Sequence, residues 1–146
     1  WLYLAGIKDV FTCEVVGHAM GARMTTTLVS QALGAAVWAK RPRPGLIHHS
    51  DRGSQYCAQD YQEQLRQFGM TPSMSRKGNC YDNAKAERVN GILKTELISD
   101  SYPDLKAAMQ HIARCITVYN YKRVHSSINW QIPDKVHTQQ GPKIKK

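Results

Sequence analysis

At 146 residues and 42% apolar composition, the chain has the length of one ordinary domain and enough apolar material for a core. Twenty Lys and Arg against eleven Asp and Glu give a formal net charge of +9, which points to a polyanionic partner, because basic side chains that neutralise phosphates release counterions. The four cysteines, Cys13, Cys57, Cys80 and Cys115, form no CxxC pair. This argues against a zinc knuckle or a disulfide scaffold and for reduced thiols in a cytosolic protein; no apolar run approaches the roughly 18–20 residues of a membrane span, and the first residues lack a signal-peptide pattern.

In chain order, Trp1 to Ala5 and Glu14 to Ala19 read as two strands of a hairpin. Leu28, Ala32, Ala35, Ala36 and Ala39 recur at helical spacing and predict a helix over 25–40, ended by the basic, breaker-rich Arg41-Pro42-Arg43-Pro44-Gly45. Leu46 to His49 reads as a short buried strand that delivers Asp51 at its C-terminal end. A helix over 59–68 stops at Gly69, and Met70 to Ser75 forms another short strand. Helices over about 83–99 and 104–121 follow, then a polar closing segment from Lys122 with a basic tail at Lys143, Lys145 and Lys146. Strands first, then helices interleaved with single strands, predict an α/β layout around a mixed sheet. The division is a core over 1–137 and a basic polar tail over 138–146.

Two carboxylates are the candidates for chemistry, each with a plainer reading beside it: a turn for Asp51 and a solvated helix face for Glu87. Asp51 opens the loop Asp51-Arg52-Gly53-Ser54 beyond a strand end, where α/β sheets place their sites, although Asp and Gly also favour an ordinary turn. Glu87 lies one turn into its helix: Val89, Ile92, Leu93 and Leu97 make an apolar stripe, while Asn83, Glu87, Asn90 and Lys94 share the opposite face. Asp82 or Asn83 would cap that helix. Carboxylate oxygens suit Mg2+ or Mn2+, and two such ions stabilise the attacking and leaving oxygens of a phosphodiester displacement. His48 and His49 adjoin Asp51, but neighbouring strand residues face opposite ways, so at most one faces the site.

Four ordered motifs make a resemblance specific. They are His49-Ser50-Asp51-Arg52-Gly53-Ser54-Gln55-Tyr56, Ser75-Arg76-Lys77-Gly78-Asn79-Cys80-Tyr81-Asp82-Asn83-Ala84, the stretch from Glu87 through Lys94 to Glu96, and Tyr119-Asn120-Tyr121-Lys122-Arg123-Val124-His125. Over nearly its whole length the chain resembles the integrase core of the OrfB transposases of the IS-three insertion-sequence family. The resemblance implies an RNase H-like mixed sheet flanked by helices and a DDE triad with two divalent metal ions, Mg2+ or Mn2+. It implies cleavage and strand transfer of insertion-sequence ends in a bacterial cytoplasm, at the nucleoid, by a homo-oligomer acting on transposon-end and target DNA.

On that resemblance Asp51 matches the second Asp of the triad, Glu87 the Glu, and Lys94 the basic residue that contacts DNA nearby. Arg52, Arg76, Lys77 and Asn90 join it as DNA contacts, Arg76 and Lys77 from a loop over the DNA. Lys85 and Arg88 read as solvated surface. Arg123 and His125 either brace the last long helix or touch DNA. The family's first Asp lies on a first, central strand that the opening Trp1-Leu2-Tyr3-Leu4-Ala5 does not match, so the expectation is an N-terminally truncated core lacking that strand and its acid, and inactive as it stands. Asp9 is read as a turn residue rather than the missing ligand. Two alternatives accompany this reading: a non-catalytic DNA-binding transposase remnant, and an RNase H-like nuclease that cuts without joining.

Overall fold

The computed structural model describes residues 1–76, 84–99 and 101–139, the side chains of 84–86, 97 and 139 excepted. The chain divides into two compact units, Trp1–Ile7 with Val16–Asn90 and Lys8–Val15 with Gly91–Lys146.

In the first unit, β1 (Tyr3–Lys8) pairs with β2 (Val15–Gly21), whose joined ends at 8–15 belong to the second unit. Helix α1 (Thr26–Lys40) starts where the Thr25 hydroxyl accepts the Leu28 N–H at 3.2 Å, satisfying one of the free donors of a helix start. It ends at Arg41, left-handed at φ +46°, whose N–H reaches the Val37 carbonyl at 2.8 Å. The buried face is Leu28, Val29, Ala32, Leu33 and Ala36. Ala35 and Ala39, expected in that stripe, are exposed: Val29 and Leu33 draw the buried face round the helix and leave them at its edge. Gly17 explains how β2 approaches α1, since a Cβ there would lie 2.5 Å from both the Ala32 carbonyl oxygen and the Ala36 nitrogen.

Strand β3 (Ile47–Ser50) runs parallel to β4 (Thr71–Met74), Ile47 opposite Thr71 and Ser50 opposite Met74. Parallel neighbours need a crossover. Helix α2 (Ser54–Cys57), one turn and too short to show a period in the sequence, and α3 (Gln59–Gln67) provide it. Helix α3 stops in a Schellman arrangement: Gly69 at φ +68° donates to the Arg66 carbonyl and Met70 to that of Leu65, both at 2.9 Å. Ala5, Leu28, Val29, Ala32, Leu33, Tyr61, Leu65 and Met70 form one core cluster.

Among the described residues the strands thus pair as two separate two-stranded sheets. The expectation of a buried strand over 46–49 is corrected: Leu46 is 51% and Ile47 66% exposed. With β4 alone beside it in the sheet, β3 lacks the second neighbour that a buried strand would have.

In the second unit, the helix that begins in the first as α4 (Ala84–Ile92) widens into a π turn, Leu93–Leu97, closed by Ile98 N–H to the Leu93 carbonyl at 2.8 Å. One uninterrupted helix was expected there. Helix α5 (Leu105–Tyr121) is capped by the Asp104 carboxylate, which accepts the Ala107 N–H at 2.7 Å, and it buries Ala108, Ile112, Cys115, Ile116, Tyr119 and Asn120. The segment read as merely polar holds a 3-10 turn, Ser126–Ile128, and α6 (Pro133–Gln139), with Pro133 at the first helical position, where its missing N–H costs nothing. The residues 140–146 of the basic tail lie outside the described residues.

Candidate functional site

Asp51 follows the C-terminal end of β3 and is exposed, and its Oδ1 accepts the Gly53 N–H at 2.8 Å. That bond makes a tight turn and leaves Oδ2 outside it. A Cβ at Gly53 would stand 2.9 Å from Asp51 Oδ1, so a larger residue there would displace the carboxylate from its turn. Tyr56, one turn further, has its phenol pushed above the ordinary value by burial and, secondarily, by the Asp51 charge.

The backbone below Asp51 is tied to the end of β4. Ser75 N–H donates to the Ser50 carbonyl at 2.9 Å, and Arg52 Nε donates to the Ser75 carbonyl at 2.9 Å. The two histidines part as strand geometry requires. His48 Nε2 meets the Tyr61 hydroxyl at 3.0 Å on the core side, where burial and then the neighbouring His49 hold its pKa below the ordinary value. His49 lies on the exposed side with Nδ1 2.9 Å from Ser73 Oγ and Nε2 3.1 Å from Ser75 Oγ. Ser73 and Ser75 were not singled out from the sequence. Their spacing of two along a strand beside β3, the period that puts side chains on one face, was the available signal.

Along α4 and the start of the π turn, Val89, Ile92 and Leu93 are buried while Glu87, Asn90 and Lys94 are exposed, as the helical stripe required; Leu97 closes the predicted stripe with a side chain outside the described residues. Arg76, the residue after Ser75, is exposed. Lys77 and the predicted caps Asp82 and Asn83 lie outside the described residues. Arg52, Ser75 and the Asp51 turn are therefore brought together by hydrogen bonds, and Glu87 and Asn90 are presented one turn apart on the exposed face of α4. Among the described residues no three His, Cys, Asp or Glu side chains converge as a metal cluster.

The last motif is built inward. Asn120, buried, accepts the Val15 N–H through Oδ1 and donates through Nδ2 to the Val15 carbonyl, both at 2.9 Å. Arg123 forks onto Glu96, Nη2 to Oε1 at 2.8 Å and Nε to Oε2 at 2.9 Å, and Glu96 holds the guanidinium more firmly charged. His125 is buried edge-on to Tyr119 with ring centroids 4.6 Å apart. Of the two roles left open for Arg123 and His125, bracing is the one these contacts perform. Asp9 takes the Phe11 and Thr12 N–H groups on Oδ1 at 2.8 and 3.1 Å, a turn residue as read from the sequence.

Two family models, both described as an integrase core domain, match the chain, one over residues 1–80 and the other over 68–133. The chain is 54% identical over 130 residues to the insertion element IS600 uncharacterized 31 kDa protein of Shigella sonnei, covering 88% of this chain and 48% of that protein. It is 47% identical over 134 residues to the transposase for insertion sequence element IS904 of Lactococcus lactis, covering 90% of this chain and 53% of the relative. To the transposase InsF for insertion sequence IS3A of Escherichia coli it is 44% identical over 122 residues, covering 83% and 40%. The chain therefore spans about half the length of the curated relatives it matches.

Among solved structures, the chain superposes on a protein of the simian T-cell lymphotropic virus intasome in complex with PP2A regulatory subunit B56 gamma, at TM-score 0.78 and 20% identity over 98% of this chain and 50% of that one. The HTLV-2 integrase catalytic core domain, in complex with magnesium, matches at TM-score 0.71 and 19% identity over 93% and 83%. At such identity the likeness shows the fold, that of a retroviral integrase core, which is RNase H-like.

Proposed function

Since the chain belongs to the integrase core domain family, we propose that it is the catalytic core of a DNA transposase, a polynucleotidyl transferase that cuts insertion-sequence ends and joins them to target DNA. The observation that carries this reading is the match of the integrase core model to residues 1–80, which includes Asp51 and its turn, joined to relatives that are themselves named transposases.

Asp51 and Glu87 are the metal ligands of this proposal. Both are exposed carboxylates, and Asp51 keeps one oxygen clear of its turn, which fits a hard divalent ion such as Mg2+ or Mn2+. When bound, that ion stabilises charge at the phosphodiester. Arg52, Arg76, Lys77, Asn90 and Lys94 are the DNA contacts, the cations meeting phosphates and Asn90 offering an amide. In phosphoryl transfer most of the rate comes from positioning and charge stabilisation, so a solvent-facing carboxylate set among cations suits the chemistry. Asp51 and Glu87 are two of the three acidic ligands that such a triad uses. A homo-oligomer acting at the nucleoid completes the proposal. Among the described residues no helix is long and apolar enough to cross a membrane.

The test is divalent-metal-dependent cleavage and strand transfer on a labelled element-end duplex. This chain would be compared with a form extended upstream, and with Asp51→Asn and Glu87→Gln in the extended form. Activity gained by extension and abolished by each substitution is the expected result. Equal activity of the short chain would locate a third ligand within these residues. Salt-sensitive binding without cleavage in either form would favour the non-catalytic remnant, and cleavage without joining the nuclease.

A further inference from the structure

We propose that His49 is a positioning residue that aims Arg52 as a phosphate-binding fork beside Asp51, a role that rests on the transposase reading. The imidazole bridges Ser73 of β4 and Ser75 just past its end. Ser75 Oγ donates to the Ser50 carbonyl at 3.4 Å, so the lone pair it turns to His49 Nε2, 3.1 Å away, receives the ring N–H. Nδ1 is then the acceptor for the Ser73 hydroxyl at 2.9 Å. One neutral tautomer satisfies all three partners.

The consequence falls on Ser75, a buried residue held by its backbone N–H, its hydroxyl and the imidazole. Its carbonyl is thereby fixed, and that carbonyl takes Arg52 Nε at 2.9 Å. An arginine anchored through Nε keeps both terminal nitrogens for a second partner. Their planar fork matches two oxygens of a phosphodiester, and holding it in place beforehand removes the rotamer entropy that an untethered arginine would lose on binding. Arg52 is exposed and follows Asp51 directly, so the phosphate it would hold lies next to the carboxylate assigned to metal.

Two readouts test this on the chain itself. The first is the 15N–1H signal of Arg52 Nε–H, expected to be distinct and protected from exchange in the wild type, lost in His49→Ala and Ser75→Ala, and recovered in His49→Gln, whose amide can donate to Ser75 Oγ. The second is the salt dependence of binding to a short blunt DNA duplex. Arg52→Ala should reduce the log–log slope by about one, the signature of one lost phosphate contact. His49→Ala should reproduce that loss, and the double variant should lose no more. Circular dichroism on each variant separates loss of fold from loss of aim, Ser75→Ala serving if His49→Ala does not fold. A folded His49→Ala with an unchanged Arg52 signal and slope overturns the positioning role. An unchanged slope in Arg52→Ala overturns the phosphate fork while DNA binding, and with it the transposase reading, stands. If the wild type does not bind the duplex, the transposase reading fails and takes the fork with it.

Discussion

Two stretches of this chain hold the same kinds of residue and use them oppositely. Around β3, His49 and Arg52 are exposed and bonded along one side only, with Asp51 turned into solvent. At the end of α5, Asn120, Arg123 and His125 are engaged with Val15, Glu96 and Tyr119, and Asn120 and His125 are buried. The difference teaches that polar residues within a shared motif do not all belong to chemistry. A guanidinium already forked onto a carboxylate has its bidentate face occupied, whereas one anchored by Nε alone keeps it.

The comparison breaks most visibly at Asn120. Replacing it with Leu removes both bonds to Val15 and leaves a buried N–H and carbonyl unmatched, so unfolding in urea should show a loss of about 2–4 kcal/mol. Duplex affinity per folded molecule should not change. A duplex-binding defect that persists after correction for unfolding would put Asn120 among the DNA contacts instead.

Next is the Arg123–Glu96 pair, whose side chains are 26% and 46% exposed. Solvent screening limits it, and Glu96→Gln should cost about 0.5–1 kcal/mol in the same denaturation experiment, with the deficit shrinking as salt rises. A deficit that ignores salt would mean that packing rather than charge holds the pair.

A pH titration sharpens the same contrast. His48 and His18 have pKa values held low by burial, so the unfolded chain takes up their protons first. Stability from these groups is therefore complete above the ordinary histidine value of about 6.5 and is lost as pH falls below it toward their folded values. Thermal melts between pH 7 and 5 should show that decline, and His48→Gln should flatten part of it.

The smallest stability change is expected at Gly53. Its φ of −57° suits alanine, so Gly53→Ala should stay within about 0.5 kcal/mol of wild type. The added methyl meets Asp51 Oδ1, however, and should weaken Mn2+ binding measured by calorimetry in the extended form. Unchanged Mn2+ affinity would show that Asp51 can leave its turn to reach the ion.

Much of this was legible in the sequence, for physical reasons that can be named. Helix α1 announced itself by the spacing of its apolar residues and α3 by its stop at Gly69, and the split of 87–94 into a buried Val89–Ile92–Leu93 side and an exposed Glu87–Asn90–Lys94 side followed from helical geometry. Helix α2 and the 3-10 turn at 126–128 escaped because one turn carries no period. Ile47 misled because apolar character was taken to mean burial, although a strand with one partner can leave such a side chain in water. The pairing of Arg123 with Glu96 is distant in sequence, and no local rule reports it.

The π turn at Leu93–Leu97 has a consequence for how this helix tolerates change. Ile98 N–H reaches back five residues to Leu93 rather than four, so the turn accommodates one residue more than an α turn would. Glu96 lies inside this widened turn and meets Arg123 from there. Losing one residue from 93–95 would let the turn close as α with Glu96 near its present facing, whereas gaining one would carry Glu96 about 100° round the axis and away from Arg123. The widened turn is thus a place where the chain can spare a residue but not take another.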